Sequence, residues 1–312
     1  MNPVQIAAFI SANSERRLDS RETALLGKQL EYVKSRTYDV KYPEMRARRF
    51  IPVSNEANAG AQSITYRQWD GYGMAKIVAN AADDLPLVDV VAKEFTIPVH
   101  SLGSAFKYDI QELRAAAMAQ AQLDLARAKM ARRAIEAGVD QIAAYGKPQA
   151  QQMGFLNHPN VPVISPNTGT WASASVENIL KDLNKLVNSI VTATGTVHSP
   201  DTLLLDTASF ALLASTPTGA DLGKTILRVF LDTNPYIRNI DQWNKLDTAS
   251  AAGGRRIVAY VRDSEILELE IPLEFEQLPP QPRNLAFVVN CHSRIGGTVI
   301  RYPLAIAYMD GI

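Results

Sequence analysis

Two short runs of alternating hydrophobicity, separated by about twenty-five residues without a convincing helix, constrain this chain more than any other feature. Ile64 and Tyr66 alternate with polar neighbours, and Phe95, Ile97 and Val99 do the same. Both runs have the period of two expected of a half-buried strand. Between them lie Gly71, Gly73, Asp83-Asp84 and Pro86. Connections of that length are uncommon inside a compact domain and are usually functional. The simplest solution is a long two-stranded ribbon, within residues 60–106, projecting from the body of the molecule. Two strands alone are marginal in water. A neighbouring subunit is expected to supply the missing surface.

The next segment predicts a long helix over residues 109–137. Asp109 and Glu112 have the spacing of a capping box, with Asp in the Ser/Thr place. Ile110, Leu113, Ala117, Ala121, Leu125, Ala128, Ala131 and Ile135 form one apolar stripe. Lys129, Arg132 and Arg133 complement the dipole near the C-terminal end, and Gly138 supplies a stop. Such a helix runs roughly 40 Å at 1.5 Å per residue, which suits a subunit with a long spine.

Upstream, residues 1–50 read as an arm with no core of its own. A helix is expected from Ser20 to Val33, ending before Tyr42-Pro43, where the proline disfavours helical geometry. This stretch carries ten Lys/Arg against six Asp/Glu, whereas the whole chain balances 32 against 32. Overall neutrality argues against a dedicated nucleic-acid binder. The local excess reads ordinarily as a solvated face and, more sharply, as an arm lying near a polyanion.

Beyond the spine, a loop from Asn157 to Thr170 leads to a helix from Val176 to about Thr192, with Ile179, Leu180, Leu183, Leu186, Val187 and Ile190 on its apolar face. Leu203 to Leu205 form a short buried strand, and Asp206 or Thr207 caps a helix from Ala208 to Leu213. The remainder reads mostly as strand, at Ile257–Val261, Ile266–Ile271, Leu285–Cys291 and Gly297–Met309. Helices and strands come in blocks, so the class is α+β. The 312 residues suggest about two domains.

Catalytic motifs are not legible. Gly219-Ala220-Asp221-Leu222-Gly223-Lys224-Thr225 has three residues between its glycines where a P-loop needs four, and it follows a helix rather than a strand. His100, His158, His198 and His292 are scattered without metal-ligand spacing. No nucleophile elbow is present. Glu268 and Glu270 point to one face of a strand opposite Leu267, Leu269 and Ile271, which predicts a half-exposed acidic surface. Tyr66-Arg67-Gln68-Trp69 hints once at a base-stacking platform, and cross-strand packing explains it as well. Asp83-Asp84 reads as a solvated pair. Cys291, the only cysteine, reads as a buried inert thiol in a strand and fits a reducing compartment. The catalytic, cofactor-binding and metal residue sets are each expected to be none. Neither a signal peptide nor a membrane span is predicted.

The order of parts resembles the major capsid proteins of tailed bacteriophages, the Hong Kong 97-type fold. The resemblance is carried by Arg48-Arg49-Phe50-Ile51-Pro52-Val53 before the ribbon and by Phe106-Lys107-Tyr108-Asp109-Ile110-Gln111-Glu112-Leu113 entering the spine. Gly154-Phe155-Leu156-Asn157, Ile271-Pro272-Leu273-Glu274-Phe275 and Arg301-Tyr302-Pro303-Leu304-Ala305-Ile306 also carry it. It implies an N-terminal arm over 1–53, an E-loop ribbon over 54–106 and a P-domain with the spine helix over 107–200. An A-domain over 201–284 and terminal strands over 285–312, returning to the P-domain, complete the implied plan.

The implied function is structural. A non-enzymatic, cofactor-free subunit would form hexamers and pentamers of an icosahedral virion capsid, after synthesis in the bacterial host cytoplasm. Its implied partners are further copies of itself, a portal, scaffolding or decoration proteins, and packaged double-stranded DNA contacted non-specifically, with no membrane. Some members weld their shells through a lysine near the ribbon tip. Here 78–91 holds no lysine, and Lys76 and Lys93 lie lower, so non-covalent overlap is expected. No extra N-terminal segment resembles a fused scaffold. The alternatives are an encapsulin-type bacterial compartment shell and an α+β enzyme with a site assembled from dispersed residues.

Overall fold

The computed structural model describes residues 42–76, 87–118, 126–167, 169–219 and 223–312. The chain divides into units of residues 1–44 and 45–312, and the second is described below. The expected helix at Ser20–Val33, the Asp83-Asp84 pair and residues 119–125 lie outside the described residues.

The unit opens with a single turn, α1 (Ala47–Phe50), and a two-residue strand, β1 (Val53–Ser54). Phe50 and Ile51 are buried in the largest hydrophobic cluster. The two alternating runs form β2 (Ser63–Tyr72) and β3 (Asp89–Pro98), which pair antiparallel from Ser63 opposite Pro98 to Tyr72 opposite Asp89.

After Val99 a third ten-residue strand, β4 (His100–Asp109), stands where sequence reading placed only the approach to the spine. Its burial alternates strictly, with Leu102, Phe106 and Tyr108 on the covered side. That period-two pattern was masked by the apparent helix cap at Asp109.

The spine is described as α2 (Ile110–Met118) and α3 (Ala126–Tyr145). Gly138 does not stop it. Val139, Ile142, Ala143 and Ala144 continue the buried stripe, and a Cβ at Gly138 would sit 3.5 Å from Leu102 Cδ1, an ordinary contact. The stop is Gly146, with φ +66°, where a Cβ would fall 2.3 Å from the Gln152 carbonyl oxygen. Only glycine meets both demands, left-handed backbone and close approach. Glu112 pairs with Arg127 at 2.9 Å and so ties α2 to α3.

A small hairpin, β5 (Gly146–Lys147) with β6 (Gln152–Met153), and the short β7 (Val163–Ile164) lead to α4 (Val176–Ala193). Ser175 caps α4 by accepting from the Asn178 N–H, and the expected apolar face is buried apart from the half-buried Leu180. Buried Asp182 on that helix fastens the preceding loop, accepting from the Asn167 N–H at 2.7 Å and from Trp171 Nε1 at 3.2 Å.

β8 (Thr202–Leu205) is wholly buried, and Asp206 caps α5 (Thr207–Ser215) through the Ser209 N–H. A further helix, α6 (Ile226–Thr233), was not legible in the sequence; eight residues behind a glycine-bearing loop give a short signal. Then follow β9 (Asn239–Gln242), β10 (Arg256–Tyr260), β11 (Leu267–Glu270), β12 (Leu273–Gln277) and β13 (Gln281–Arg283). The last strands are β14 (Ala286–Ile295), β15 (Gly297–Ile300) and β16 (Ile306–Asp310). The run expected as one strand from Gly297 is broken by the turn Pro303–Ala305.

A five-stranded sheet, ordered β7-β16-β10-β8-β9, divides the core. Leu203, Leu205, Ile257, Ala259 and Met309 face α4, α5 and α6. Leu204, Val258, Tyr260, Ile306 and Tyr308 face α1 and α3. β14 pairs with β4 along all ten residues and also with β12 and β13. Cys291 is buried there with Val289 against Ala131 and Ile135 of α3. β1, β11 and β15 form a three-stranded sheet. No helix among the described residues is long and apolar enough to cross a membrane.

Candidate assembly surface

The ribbon has two chemically different faces. On one, Ile64 lies opposite Ile97 and Tyr66 opposite Phe95, with ring centroids 5.2 Å apart. Gln68 lies opposite Lys93, whose ammonium sits 5.0 Å from the centre of the Phe95 ring. On the other, Thr65 and Thr96 share a 2.9 Å hydrogen bond, Arg67 and Glu94 pair at 2.7 Å, and Trp69 lies opposite Ala92. Tyr66 and Trp69 therefore point to opposite sides. The Tyr66-to-Trp69 run offers no single face for successive rings to share, and Tyr66 is packed across the strands on Phe95.

Among the described residues, only the lower half of the first face is seated on the body. Tyr66 stacks under the Arg301 guanidinium at 5.6 Å, and Arg301 pairs with Glu268 at 2.6 Å. Ile64 approaches Gly296, where a Cβ would meet its Cδ1 at 3.3 Å and the Glu270 Cβ at 3.0 Å.

The acidic strand is thus not half-exposed as expected. Glu270 is 5% exposed, because β11 is flanked by β1 and β15 and roofed by the ribbon root. Burial holds the Glu270 carboxyl above the usual carboxylate range; the Ser54 hydrogen bond opposes this, Glu268 reinforces it, and Arg301 and Glu56 add opposing smaller effects. Beside the seat lies an open cleft of about 650 Å³, lined by Tyr66, Lys93, Phe95, His198, Tyr302 and Leu304 among others.

Past Gln68 and Lys93 no described residue covers the ribbon. Trp69 is 66% exposed and Leu87 92%, and Tyr72, Met74, Val88, Val90 and Val91 are exposed with them. Val90 shares the Trp69 face and Val91 the opposite one. Large exposed apolar patches mark interaction surfaces, and this one is presented on both sides of a two-stranded ribbon.

The basic residues entering the core are tied to it. Arg48 pairs with Glu274 at 2.8 Å and Glu136 at 3.3 Å, and Arg49 pairs with Asp241 at 2.6 Å. Tyr260 Oη donates to the Phe50 carbonyl at 2.8 Å.

The histidines do separate, local work. His100 Nε2 meets the Ala150 carbonyl at 3.0 Å, His292 lies 3.5 Å from Glu276, and His198 packs on Tyr302. His158 accepts from the Asn160 N–H, and burial lowers its pKa. The P-loop-like segment is closed by the Thr218 N–H donating to the Lys224 carbonyl at 3.1 Å, and Lys224 pairs with Asp232; residues 220–222 lie outside the described residues. Among the described residues no cluster of metal-ligating side chains is found.

A seated root, an uncovered apolar end, a spine helix and a five-stranded sheet define a shell-building subunit with the Hong Kong 97-type α+β fold. The chain belongs to the major capsid protein family, whose model matches residues 73–312; it is a structural protein of a capsid. The capsid of Myoviridae phage XM1 superposes with a TM-score of 0.78 at 17% identity, covering 91% of this chain and 98% of that one. Mycobacterium phage Bobi gives 0.61 at 14% identity, covering 95% and 99%. A virus-like particle from Pyrococcus furiosus gives 0.55 at 17% identity, covering 84% and 91%. No match was found among curated protein sequences.

Proposed function

We propose that copies of this chain form hexamers and pentamers that close an icosahedral phage head around double-stranded DNA. The observation that carries this reading is the uncovered apolar end of the ribbon, which a monomer in water has no use for. Heterologous contacts between identical subunits close into rings, and rings meet to close a shell. The parts would then be an arm over 1–53, an E-loop over 54–106, a P-domain over 107–200, an A-domain over 201–284 and returning strands over 285–312. Lys93 sits over Phe95 at the root, which favours non-covalent overlap at the ribbon over a lysine weld. The chain would act without catalysis or cofactor, be made in the host cytoplasm and meet a portal, scaffolding or decoration proteins.

The compartment-shell reading is weaker, since the family matched is that of major capsid proteins. Negative-stain microscopy of the purified protein tests the proposal. Shells, sheets or rings are expected, and discrete small oligomers under every assembly condition would overturn it.

A further inference from the structure

A second cavity, of about 450 Å³, opens where the chain enters the core and runs alongside the edge strand β9. Arg49, Arg238 and Arg262 line it, from three separate segments, together with Thr202, Asn239 and Asp241. All three arginines are exposed. Among the described residues Asp241 is the only acidic one in the lining, and it is shared by Arg49 at 2.6 Å and Arg46 at 3.5 Å. Arg262 donates Nε to the Arg49 carbonyl at 3.1 Å, which orients one guanidinium against the next residue's backbone. Neither Arg238 nor Arg262 has a carboxylate partner among the described residues. The pocket therefore keeps a positive excess on groups that are partly fixed in place.

We propose that this pocket binds phosphate groups. A carboxylate is planar and is satisfied by one guanidinium fork. Three guanidinium groups arriving from different segments match a tetrahedral phosphate, whose oxygens accept in several directions. The exposed rim admits a phosphodiester lying across it. The source of the phosphate, a nucleic-acid backbone or a free oligophosphate, rests on the shell reading above, but the pocket's preference does not.

The test uses unassembled full-length subunits, a fluorescent mixed-sequence DNA duplex and tripolyphosphate as the small probe. Arg238→Ala is the cleanest variant, since among the described residues that side chain makes no hydrogen bond or ion pair. It should weaken duplex binding several-fold and make the salt slope shallower by about 0.9 for each phosphate no longer neutralised; Arg238→Lys should restore part, and R238A/R262A should weaken binding further. Tripolyphosphate should compete with the duplex in the natural protein and not in the double variant. Tripolyphosphate binding without duplex binding would still support the pocket and place its ligand among small oligophosphates. Unchanged affinity and slope in R238A/R262A would overturn it, as would loss of shell formation in R238A, which would give the arginine to a subunit contact. Failure of the natural protein to form shells would instead count against the shell reading alone.

Discussion

Asp140, buried toward the C-terminal end of α3, accepts the backbone N–H of Ala47 at 3.0 Å and lies 3.6 Å from the Lys245 ammonium. One carboxylate thus joins the entering turn, the spine and the loop after β9. Asp140→Ala should cost about 1–2 kcal/mol, the range for losing a helix-capping acceptor. Asp140→Asn, which keeps an acceptor, should cost less. Urea unfolding of unassembled subunits measures both.

Two glycines of the spine, one inside α3 and one just past its end, should respond in opposite directions. At Gly138 an added methyl meets only ordinary contact, so Gly138→Ala should stabilise by up to about 1 kcal/mol through helix propensity. At Gly146 the backbone is left-handed and the space is filled, so Gly146→Ala should destabilise by more than about 1 kcal/mol. The same unfolding midpoints separate the two.

Arg256 is buried between Asp310, at 2.6 Å, and the Leu156 carbonyl, and lies over the Tyr308 ring. Asp310→Ala leaves that charge without its partner and should cost about 3–5 kcal/mol. A loss under about 1 kcal/mol would mean that water reaches the guanidinium.

Glu270 links stability to pH. Its folded pKa lies above the ordinary 4.5 of a glutamate, chiefly through burial. The folded state therefore binds more protons than the unfolded one in the window above pH 4.5. The contribution is full below that window and is lost as pH rises through the folded value. Glu270→Gln should match the natural protein in acid and exceed it at neutral pH. Parallel stability curves for the two proteins would contradict this.

Replacing Trp69, Val90 and Val91 by serine should leave the unfolding midpoint of the subunit within about 0.5 kcal/mol, because these side chains are exposed. The same triple variant should fail to form shells in sedimentation and microscopy. Normal shells would remove the ribbon's outer half from the assembly contact.

Legibility in the sequence followed the locality of the cause. The α4 face and the Asp206 cap act within a few residues, and they were readable. The paired alternation of Ile64–Tyr66 and Phe95–Val99 was readable too, because a half-seated strand writes its period directly. β4 was not, since the Asp109-x-x-Glu112 spacing competes with an alternation whose purpose is a partner strand nearly two hundred residues away in sequence. The burial of Glu270 depends on β1, β15 and the ribbon root meeting around it, which no local pattern encodes. Gly138 misled because a glycine inside a helix and one that ends it look alike until the neighbouring strand is placed.

The one-sided seating of the ribbon has a mechanical consequence. Its fulcrum is the Gln68–Lys93 pair, and four residues separate Gln68 from Tyr72, about 13 Å of strand. A rotation of about 15° at that pair carries the far end about 3 Å sideways, with no side chain leaving the core. On the proposed shell reading, copies in rings of different size would reach neighbours set at different angles by pivoting one pair of strands, while the sheet and spine behind them stay the same.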